Sequence, residues 1–465
     1  MLYQNLNELS GSIKGVLALE GEKIKVTDSD KFTREVIDQL VYSAVFGNAE
    51  IKEVCRWIIW EASPVLGIYP SSIQGIYEAR AKGEYKGMTV PAINIRGLTY
   101  DVARTIFKAA MKNNAKAFIF EIAKSEIDYT EQRPEEYTTA VLAAAIREGF
   151  RGPVFIQGDH FQASASKFQK DPSAEVKKLK DLIREAVEAG FYNIDIDAST
   201  LVDLSKSSVR EQQRLNYEIT AELCSYIRSI EPGEITVSVG GEIGEVGGKN
   251  STVAELREFF KGFRGELDLK YKKNLNGLSK ISVQTGTTHG GVPLPDGRIA
   301  DVKLDFNVLK ELSKAGREEF GVGGTVQHGA STLPQEAFDR FPQCDTLEVH
   351  FATAFQNIIY DSSWFPKDLK DEIYSYINKE LIGEKKEKDT PEQFIYKTRK
   401  KGFGPFKKKM WDISESTREK ISAELEKQFN IIFNKLNATN TEKLVADKIM
   451  VKPVRKKAPE GIKKL

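Results

Sequence analysis

Short apolar runs alternate with longer amphipathic stretches between Val90 and about Phe355. The apolar runs are rich in β-branched and aromatic residues and predict strands, whereas the stretches between them predict helices. The predicted strands are 90–95, 117–122, 154–157, 193–197, 235–239, 281–284, 325–328 and 347–351, and the clearest helices are 100–114, 174–189, 210–230 and 305–320.

Eight strands that alternate with helices over about 265 residues match the usual size of a closed barrel, roughly 250 residues. We therefore predict an α/β fold, a (β/α)8 TIM barrel. An open doubly wound sheet is the structural alternative, but no GxGxxG turn follows the first strand to support it.

Two extensions flank the predicted barrel. The first 88 residues hold two helical candidates, 30–46 and 49–60, and no ionisable cluster that indicates chemistry. Residues 361–465 are helical by pattern over 373–381 and 414–436 and carry basic runs, including 397–401. Such runs are more often solvated faces or disordered ends than anion sites. We predict mainly helical extensions over 1–88 and 361–465, the second of them basic, with the barrel over 89–360.

Composition and charge argue against several classes of protein. The 465 residues carry 68 Lys and Arg against 67 Asp and Glu, a formal net charge of +1, so no strong field draws the chain to nucleic acid or anionic lipid. Its three cysteines are far apart and odd in number, which favours a reducing cytoplasm over a disulfide scaffold. No secretory signal begins the chain, and no apolar run approaches about 20 residues. We expect a cytoplasmic protein without nucleic-acid or membrane partners.

The four histidines all lie in the middle of the chain and indicate where chemistry occurs. His160, His289 and His328 each follow a predicted strand, and in such a barrel the strand ends and the loops after them build the active site. A single histidine beside a strand is more often structural. Three imidazoles that meet at one mouth, with a fourth position open, form a catalytic zinc site. We predict a shared metal site there.

A set of short motifs follows the predicted strands in order. They are Val90-Pro91-Ala92-Ile93-Asn94, Asp159-His160, Ile196-Asp197-Ala198-Ser199, Glu242-Ile243-Gly244 with Gly247-Gly248, Thr288-His289-Gly290, and His328-Gly329-Ala330-Ser331. With them the barrel resembles the class II, zinc-dependent sugar-phosphate aldolases of the fructose-bisphosphate and tagatose-bisphosphate type. The corresponding family motifs are PAFN, DH, IDxS, ELG with GG, HG and HGxS. Each piece alone is weak, but the order makes the set specific.

The resemblance implies a metal-dependent mechanism. One catalytic Zn2+, or another divalent ion, would be held by His160, His289 and His328 and would polarise a ketose carbonyl. Asp159 would act as the general acid–base on the hydroxyl of the carbon that becomes an aldehyde. The alternative for Asp159 is a carboxylate that orients a ligand histidine. For Asp197 and Glu242 the resemblance implies an alternative metal position or ligand orientation, and ordinary hydrogen bonding at a strand end is the alternative.

The same resemblance implies substrate contacts. Gly290, Gly329 and Ser331 would supply backbone N–H groups for phosphate, although such glycines also simply permit tight turns. Asn94 would contact substrate from the first strand. His350 stands where the family has the asparagine of an NxxTD-like motif, so it either contacts substrate or sits in the strand end.

One departure from the family concerns the proton donor to the enediolate. The family follows its GG segment with acidic residues, whereas the matching positions here are Lys249, Asn250 and Ser251. Glu245 lies nearby and would substitute as the second catalytic residue. A Schiff-base mechanism is not expected, because Lys280 lies at the start of its predicted strand and Lys124 belongs to no motif.

The sequence therefore predicts a metal-dependent class II aldolase, a carbon–carbon lyase. It would reversibly cleave a ketose phosphate resembling fructose 1,6-bisphosphate to glycerone phosphate and an aldehyde. The alternatives are a metal-dependent sugar epimerase on the same barrel and a non-catalytic partner subunit of an aldolase. The expected partners are a small-molecule sugar phosphate and, from the resemblance, further copies of the chain in a dimer or larger homo-oligomer.

Overall fold

The computed structural model of this chain describes residues 2–244, 248–286 and 304–465. Eight parallel strands form a closed barrel in chain order, since the last strand pairs with the first and every other strand pairs with its sequential neighbour. The predicted (β/α)8 barrel is confirmed. After β1 (Leu17–Glu20), β2 (Lys23–Val26) and β3 (Ile68–Ser71), the barrel strands are β4 (Val90–Asn94), β5 (Ile119–Ala123), β6 (Gly152–Gln162), β7 (Asn193–Asp197), β8 (Ser238–Glu242), β9 (Lys280–Val283), β10 (Thr325–Gln327) and β11 (Glu348–Phe351).

Helices follow the barrel strands and cover the outside of the sheet. Their apolar faces are buried against it, as expected for helices around a parallel barrel. Within the described residues they are Thr99–Lys112, Lys124–Tyr129, Pro134–Glu148, Ala165–Lys170, Pro172–Glu188, Val209–Gln212, Arg214–Ile230, Val253–Glu266, Phe306–Phe320, Arg340–Gln343 and Thr353–Asp361.

Strand β8 differs from the prediction, which ended it at residue 239. The observed strand includes Gly240 and Gly241, although glycine is disfavoured in strands. The ladder continues through them because Gly240 pairs with Asp195 of β7 and Lys280 of β9. A Cβ on Gly240 would lie 2.3 Å from Asp195 Oδ1 and 3.0 Å from Lys280 Cε. A crowded barrel interior thus requires glycine at this strand position.

The N-terminal segment closes the bottom of the barrel. It contains the hairpin β1–β2 and strand β3, which pairs in parallel with β6, so it is less purely helical than predicted. Tyr77 is completely buried and packs with Val90 and Leu347, at the N-terminal ends of β4 and β11. The helices of this segment are Leu6–Ile13, Ser29–Lys31, Ile37–Phe46, Ala49–Val65 and Gln74–Ala81.

The C-terminal segment wraps around one side of the barrel. The ring of Phe433 lies 5.5 Å from that of Phe118, just before β5, and Thr89 N donates to Leu436 O at 3.0 Å. One hydrophobic core contains side chains from all three parts, and the boundaries at 88 and 360 stay predictions. The helices are Lys367–Glu380, Pro391–Thr398, Lys407–Trp411, Glu415–Lys435 and Glu442–Lys448. None of the helices in the described ranges is long and apolar enough to cross a membrane.

Candidate functional site

A cavity of about 560 Å³ opens at the carboxyl ends of the barrel strands. Asn94 lines it from the end of β4, Asp159 and His160 from β6, and His328 and His350 from β10 and β11. All five belong to the residues that the sequence singles out. Because parallel strands place their carboxyl ends at the same rim of a barrel, residues far apart in sequence converge here.

A bulge in β6 presents two consecutive side chains to this cavity. Between Gly158 and Phe161 the register with β7 shifts by one residue, and His160 has a left-handed backbone with φ of 43°. A regular strand would send Asp159 and His160 to opposite faces. The bulge turns one of the two side chains so that both face the cavity, and bulges commonly have this effect near active sites. Gly158 is required, since a Cβ there would lie 2.5 Å from the Phe161 ring.

Three imidazoles lie next to one another along the rim of the barrel, the first pair tilted by 33° and the second edge to face at 70°. The ring centroids of His160 and His328 are 4.2 Å apart, and those of His328 and His350 are also 4.2 Å apart. The carboxylate of Glu242, at the end of β8, lies 3.7 Å from His328 Nδ1. The sequence prediction that His160 and His328 share a site is compatible with this geometry. His289, the third predicted ligand, lies outside the described residues.

Asp197 holds the ring of His160. Its Oδ2 lies 3.0 Å from His160 Nδ1 and accepts a hydrogen bond from Gln162 at 2.6 Å, while its Oδ1 accepts from the Ser199 hydroxyl at 2.7 Å. Burial alone would raise the pKa of Asp197, but these bonds, led by that of His160, lower it to about 2. A carboxylate on Nδ1 orients the ring so that Nε2 is the atom presented to a metal.

Asp159 lies between the three rings. Its Oδ1 is 3.3 Å from His328 Nε2, 3.4 Å from His350 Nδ1 and 4.0 Å from His160 Nε2. Burial would raise its pKa, but the charges of His160 and His350 outweigh burial and hold it well below its ordinary value. Asp159 therefore carries a negative charge among the three rings.

Neighbouring charges shift the pKa values of the three histidines in opposite directions. Burial opposes the charged form of His160, but Asp159 and Asp197 raise the pKa of its imidazole well above its ordinary value. His350 behaves likewise, because Glu121 and Asp159 overcome the effect of burial. For His328, burial and the charges of the two neighbouring imidazoles lower the pKa well below the ordinary range. Because metal ligation requires the neutral imidazole, a cation bound by His160 would have to displace the proton that these carboxylates stabilise.

A second polar cluster lies deeper in the barrel and was missed by sequence reasoning. Lys280 is completely buried at the start of β9, where Nζ lies 2.7 Å from Gln157 Oε1, 3.0 Å from the Asp195 carboxylate and 2.6 Å from Glu348 Oε1. Burial would lower the pKa of its ammonium, but Asp195 and Glu348 raise it. The lysine is therefore charged and unsuited to imine formation, in keeping with the expectation from sequence.

His350 joins the deep cluster to the rim. Its Nε2 lies 2.6 Å from Glu348 Oε1, and its Nδ1 lies 2.9 Å from Glu121 Oε2. The carboxylates missed from sequence share one signal, which is an acidic residue within a buried strand. They are Glu121, Asp195 and Glu348.

The donor set fits a divalent cation. Ligand atoms of His160, Glu242 and His328 all lie within 4.8 Å of one another, and imidazole nitrogen with carboxylate oxygen is a donor combination that suits Zn2+ and related ions. Among the described residues, Lys280 is the only lysine in the rim and the deep cluster taken together. The buried acidic residues of the two clusters are Glu121, Asp159, Asp195, Asp197, Glu242 and Glu348. Such a concentration of buried acidic side chains is compatible with a bound cation.

The remaining predicted residues divide into two groups. Gly329, with φ of 72°, and Ser331 line the cavity, and the Ser331 hydroxyl accepts a hydrogen bond from Ala352 N at 2.8 Å. Asn94 donates to Glu126 at 2.5 Å, and its buried Oδ1 has no hydrogen-bond partner among the described residues. Their roles in substrate binding stay predictions. Glu245 and Gly290 lie outside the described residues.

The C-terminal segment forms one wall of the cavity, which sequence reasoning did not foresee. Tyr396 and Lys397, from the helix Pro391–Thr398, and Lys400, from the turn Arg399–Gly402, line it. Arg96, which belongs to the barrel, lines the same cavity. The basic run that sequence analysis treated as a solvated face therefore contributes to the site.

Comparison with known sequences identifies related proteins. A family model described as "Fructose-bisphosphate aldolase class-II" matches residues 76–431. Among curated proteins, the chain is similar to the D-tagatose-1,6-bisphosphate aldolase subunit GatZ of Escherichia coli O1:K1, with 24% identity over 154 residues. This match covers 31% of the chain and 36% of the relative, so it spans about a third of the length of the relative.

Two solved structures share the fold. The fructuronate-tagaturonate epimerase UxaE from Cohnella laeviribosi, in complex with glycerol, has a TM-score of 0.58 at 12% identity and covers 91% of this chain and 89% of its own. A probable tagatose 6 phosphate kinase from Sinorhizobium meliloti 1021 has a TM-score of 0.52 at 14% identity, covering 79% of this chain and 95% of its own.

Proposed function

Because this chain belongs to the class II fructose-bisphosphate aldolase family, we propose that it is a metal-dependent carbon–carbon lyase. It reversibly cleaves a ketose phosphate resembling fructose 1,6-bisphosphate into glycerone phosphate and an aldehyde. The observation that carries the proposal is the gathering of His160, His328 and Glu242, whose ligand atoms lie within 4.8 Å of one another, next to a cavity that Asp159, His160 and His328 line. A divalent cation held there, with His289 as a further ligand, would stabilise the negative charge that develops at the ketose carbonyl oxygen.

The residues of the chain have distinct roles in this proposal. Asp159 takes the proton from the hydroxyl on the carbon that becomes the aldehyde, and in synthesis it returns that proton. Asp197 keeps His160 in the orientation set by its 3.0 Å contact. Asn94, Gly329, Ser331 and His350 contact the substrate from the cavity wall. The proton that the released carbon needs would come from Glu245, since residues 249–251 carry no acid.

The test is retro-aldol turnover on a panel of ketose phosphates, with and without a chelator. We expect purified chain to contain a divalent metal and to release triose products, and we expect chelation to stop turnover until metal is restored. The His328→Ala variant should lose both metal and activity, whereas the matched control Asp203→Asn, in an exposed loop, should lose neither. Turnover that survives chelation and His328→Ala contradicts the proposal. Bound metal without turnover on any substrate would favour a non-catalytic subunit.

A second candidate is epimerisation of a ketose on the same site. It is favoured by the additional wall that Tyr396 and Lys400 contribute to the cavity, since further contacts would help to retain an aldehyde fragment for re-addition. The similarity in fold to an epimerase over 91% of the chain is in keeping with this option. Product analysis distinguishes the two reactions. Free triose products support cleavage, and a stereoisomer formed without fragments supports epimerisation.

A further inference from the structure

We propose that the C-terminal segment supplies an anion-binding residue, Lys400, which binds the phosphate or carboxylate group of the substrate. This inference rests on the proposed function for the identity of the substrate, a sugar that carries an anionic group. It assigns a binding role to a segment outside the strand-end loops that usually build the site of such a barrel.

The backbone around Lys400 is held firmly against the barrel. The preceding residue, Arg399, is buried and pairs with Asp361 at 2.5 and 2.9 Å, and its carbonyl accepts a hydrogen bond from Tyr360 at 2.9 Å. Gly402 packs so closely that a Cβ there would lie 2.6 Å from Ile373 Cγ2. The turn therefore presents Lys400 to the cavity from a fixed position.

Lys400 differs from the other cations of its run. Lys397 pairs with Asp389, Arg399 with Asp361, and Lys401 with both oxygens of Glu384 at 2.6 Å. In the described part of the chain, Lys400 has no ion pair or hydrogen bond; its nearest aromatic contact is the Tyr129 ring, 5.6 Å away. The carboxylates near enough to act on Lys400, Glu126 and Glu384, are paired with Arg96 and Lys401. An anionic ligand in the cavity would give this half-buried cation a partner of its own.

A second cation, Arg96, lines the same cavity and acts electrostatically on Lys400. Arg96 donates to Glu126 at 2.7 Å and to Gln356 at 2.8 Å, which fixes its guanidinium in the wall. Burial, and then the charge of Arg96, lower the pKa of Lys400. Glu126 also faces this region, but Arg96 and Asn94 already occupy its two oxygens. Asp128, in the same wall, is exposed and lies 3.5 Å from Arg133.

The chemistry of this pair selects an oxyanion. Lysine provides three donors on a mobile charge, and phosphate or carboxylate oxygens accept such charge-assisted bonds strongly. A neutral ketose would gain much less from Lys400. The geometry thus favours a substrate that carries an anionic group and places that group against the C-terminal wall.

The test is calorimetric titration of the metal-loaded full chain with inorganic phosphate and, separately, with acetate. Wild type should bind at least one probe, and the tighter one identifies the anionic group. Lys400→Gln should weaken that binding roughly tenfold, the size expected for one hydrogen bond to a charged group, and Lys400→Arg should largely restore it. The matched control is Lys401→Gln, whose lysine is already paired with Glu384, and it should bind as wild type does.

Binding at the proposed metal site must be separated from binding at Lys400. The titrations are therefore repeated in the His328→Ala background, where the effect of Lys400→Gln should persist. If Lys400→Gln binds both probes as tightly as wild type in both backgrounds, the inference is wrong, whatever the reaction. If the effect on binding is present but no ketose phosphate is cleaved, the inference stands and the proposed lyase activity fails. Thermal melting of each variant checks that the fold is intact.

Discussion

The barrel contains two polar clusters of similar composition in different surroundings. The rim cluster, formed by Asp159, His160, Asp197, Glu242 and His328, borders a cavity of about 560 Å³. The interior cluster, formed by Gln157, Asp195, Lys280 and Glu348, is sealed beneath it. The interior carboxylates have a permanent counter-charge in Lys280, whereas the rim cluster has histidines and no lysine. From this comparison we propose that the rim cluster, which has no lysine and has access to a cavity, is the cluster that binds ligands.

His328→Ala should have the broadest effect, because it lowers metal content and turnover together. Removing a central imidazole of the rim cluster disrupts cation binding, and with it several kcal/mol of transition-state stabilisation, on the order of 10³-fold in kcat/KM. Metal content measured by mass spectrometry should fall in parallel. Because His328 does not hold the interior cluster, the free energy of unfolding in denaturant should change far less than activity. A variant that keeps both metal and turnover would remove the functional distinction between the clusters.

Asp159→Asn should lower kcat by about 10²–10⁴-fold, the usual contribution of a general acid–base group. The side chain keeps its shape but cannot accept the proton. Metal content should remain near that of wild type, which separates proton transfer from ligand orientation. If the variant loses metal along with activity, Asp159 acts instead by orienting the histidines, the alternative that the sequence leaves open.

Lys280→Met should destabilise the protein by about 3–5 kcal/mol, because breaking a buried pair leaves Asp195 and Glu348 without their cation. The free energy of unfolding in urea measures this effect. A matched control is Lys177→Met, which removes an exposed pair with Asp181 and should cost less than about 1 kcal/mol. Metal bound per folded chain should be nearly unchanged. A strong loss of metal affinity with little loss of stability would reverse the roles assigned to the two clusters.

Asp197→Asn should have the smallest of these effects. It weakens the interaction that orients His160, and such changes reduce metal affinity by about 10–100-fold. Competition with a chromogenic chelator measures the change, and excess metal should rescue turnover. Asp203→Asn, a nearby exposed substitution, serves as the control. An unchanged metal affinity would mean that the carboxylate of Asp197 only completes hydrogen bonding at the end of its strand.

The sequence predicted the barrel well because its strands are buried apolar runs separated by amphipathic helices. Its errors have a common cause. Gly240 and Gly241 belong to a strand because the ladder with β7 and β9 continues through them. Strand β3 was missed because its place in the sheet depends on pairing with β6, more than 80 positions along the chain.

For the site, motif order and the position of histidines at strand ends were enough to predict that Asp159, His160 and His328 would meet. Local sequence carries this information because strand ends in a parallel barrel share one rim. The tertiary structure alone decided that Lys280 is enclosed by carboxylates and that Lys400 reaches the cavity. Both depend on contacts between segments distant in the chain, and a charged residue has no local pattern that distinguishes a solvated position from a buried one.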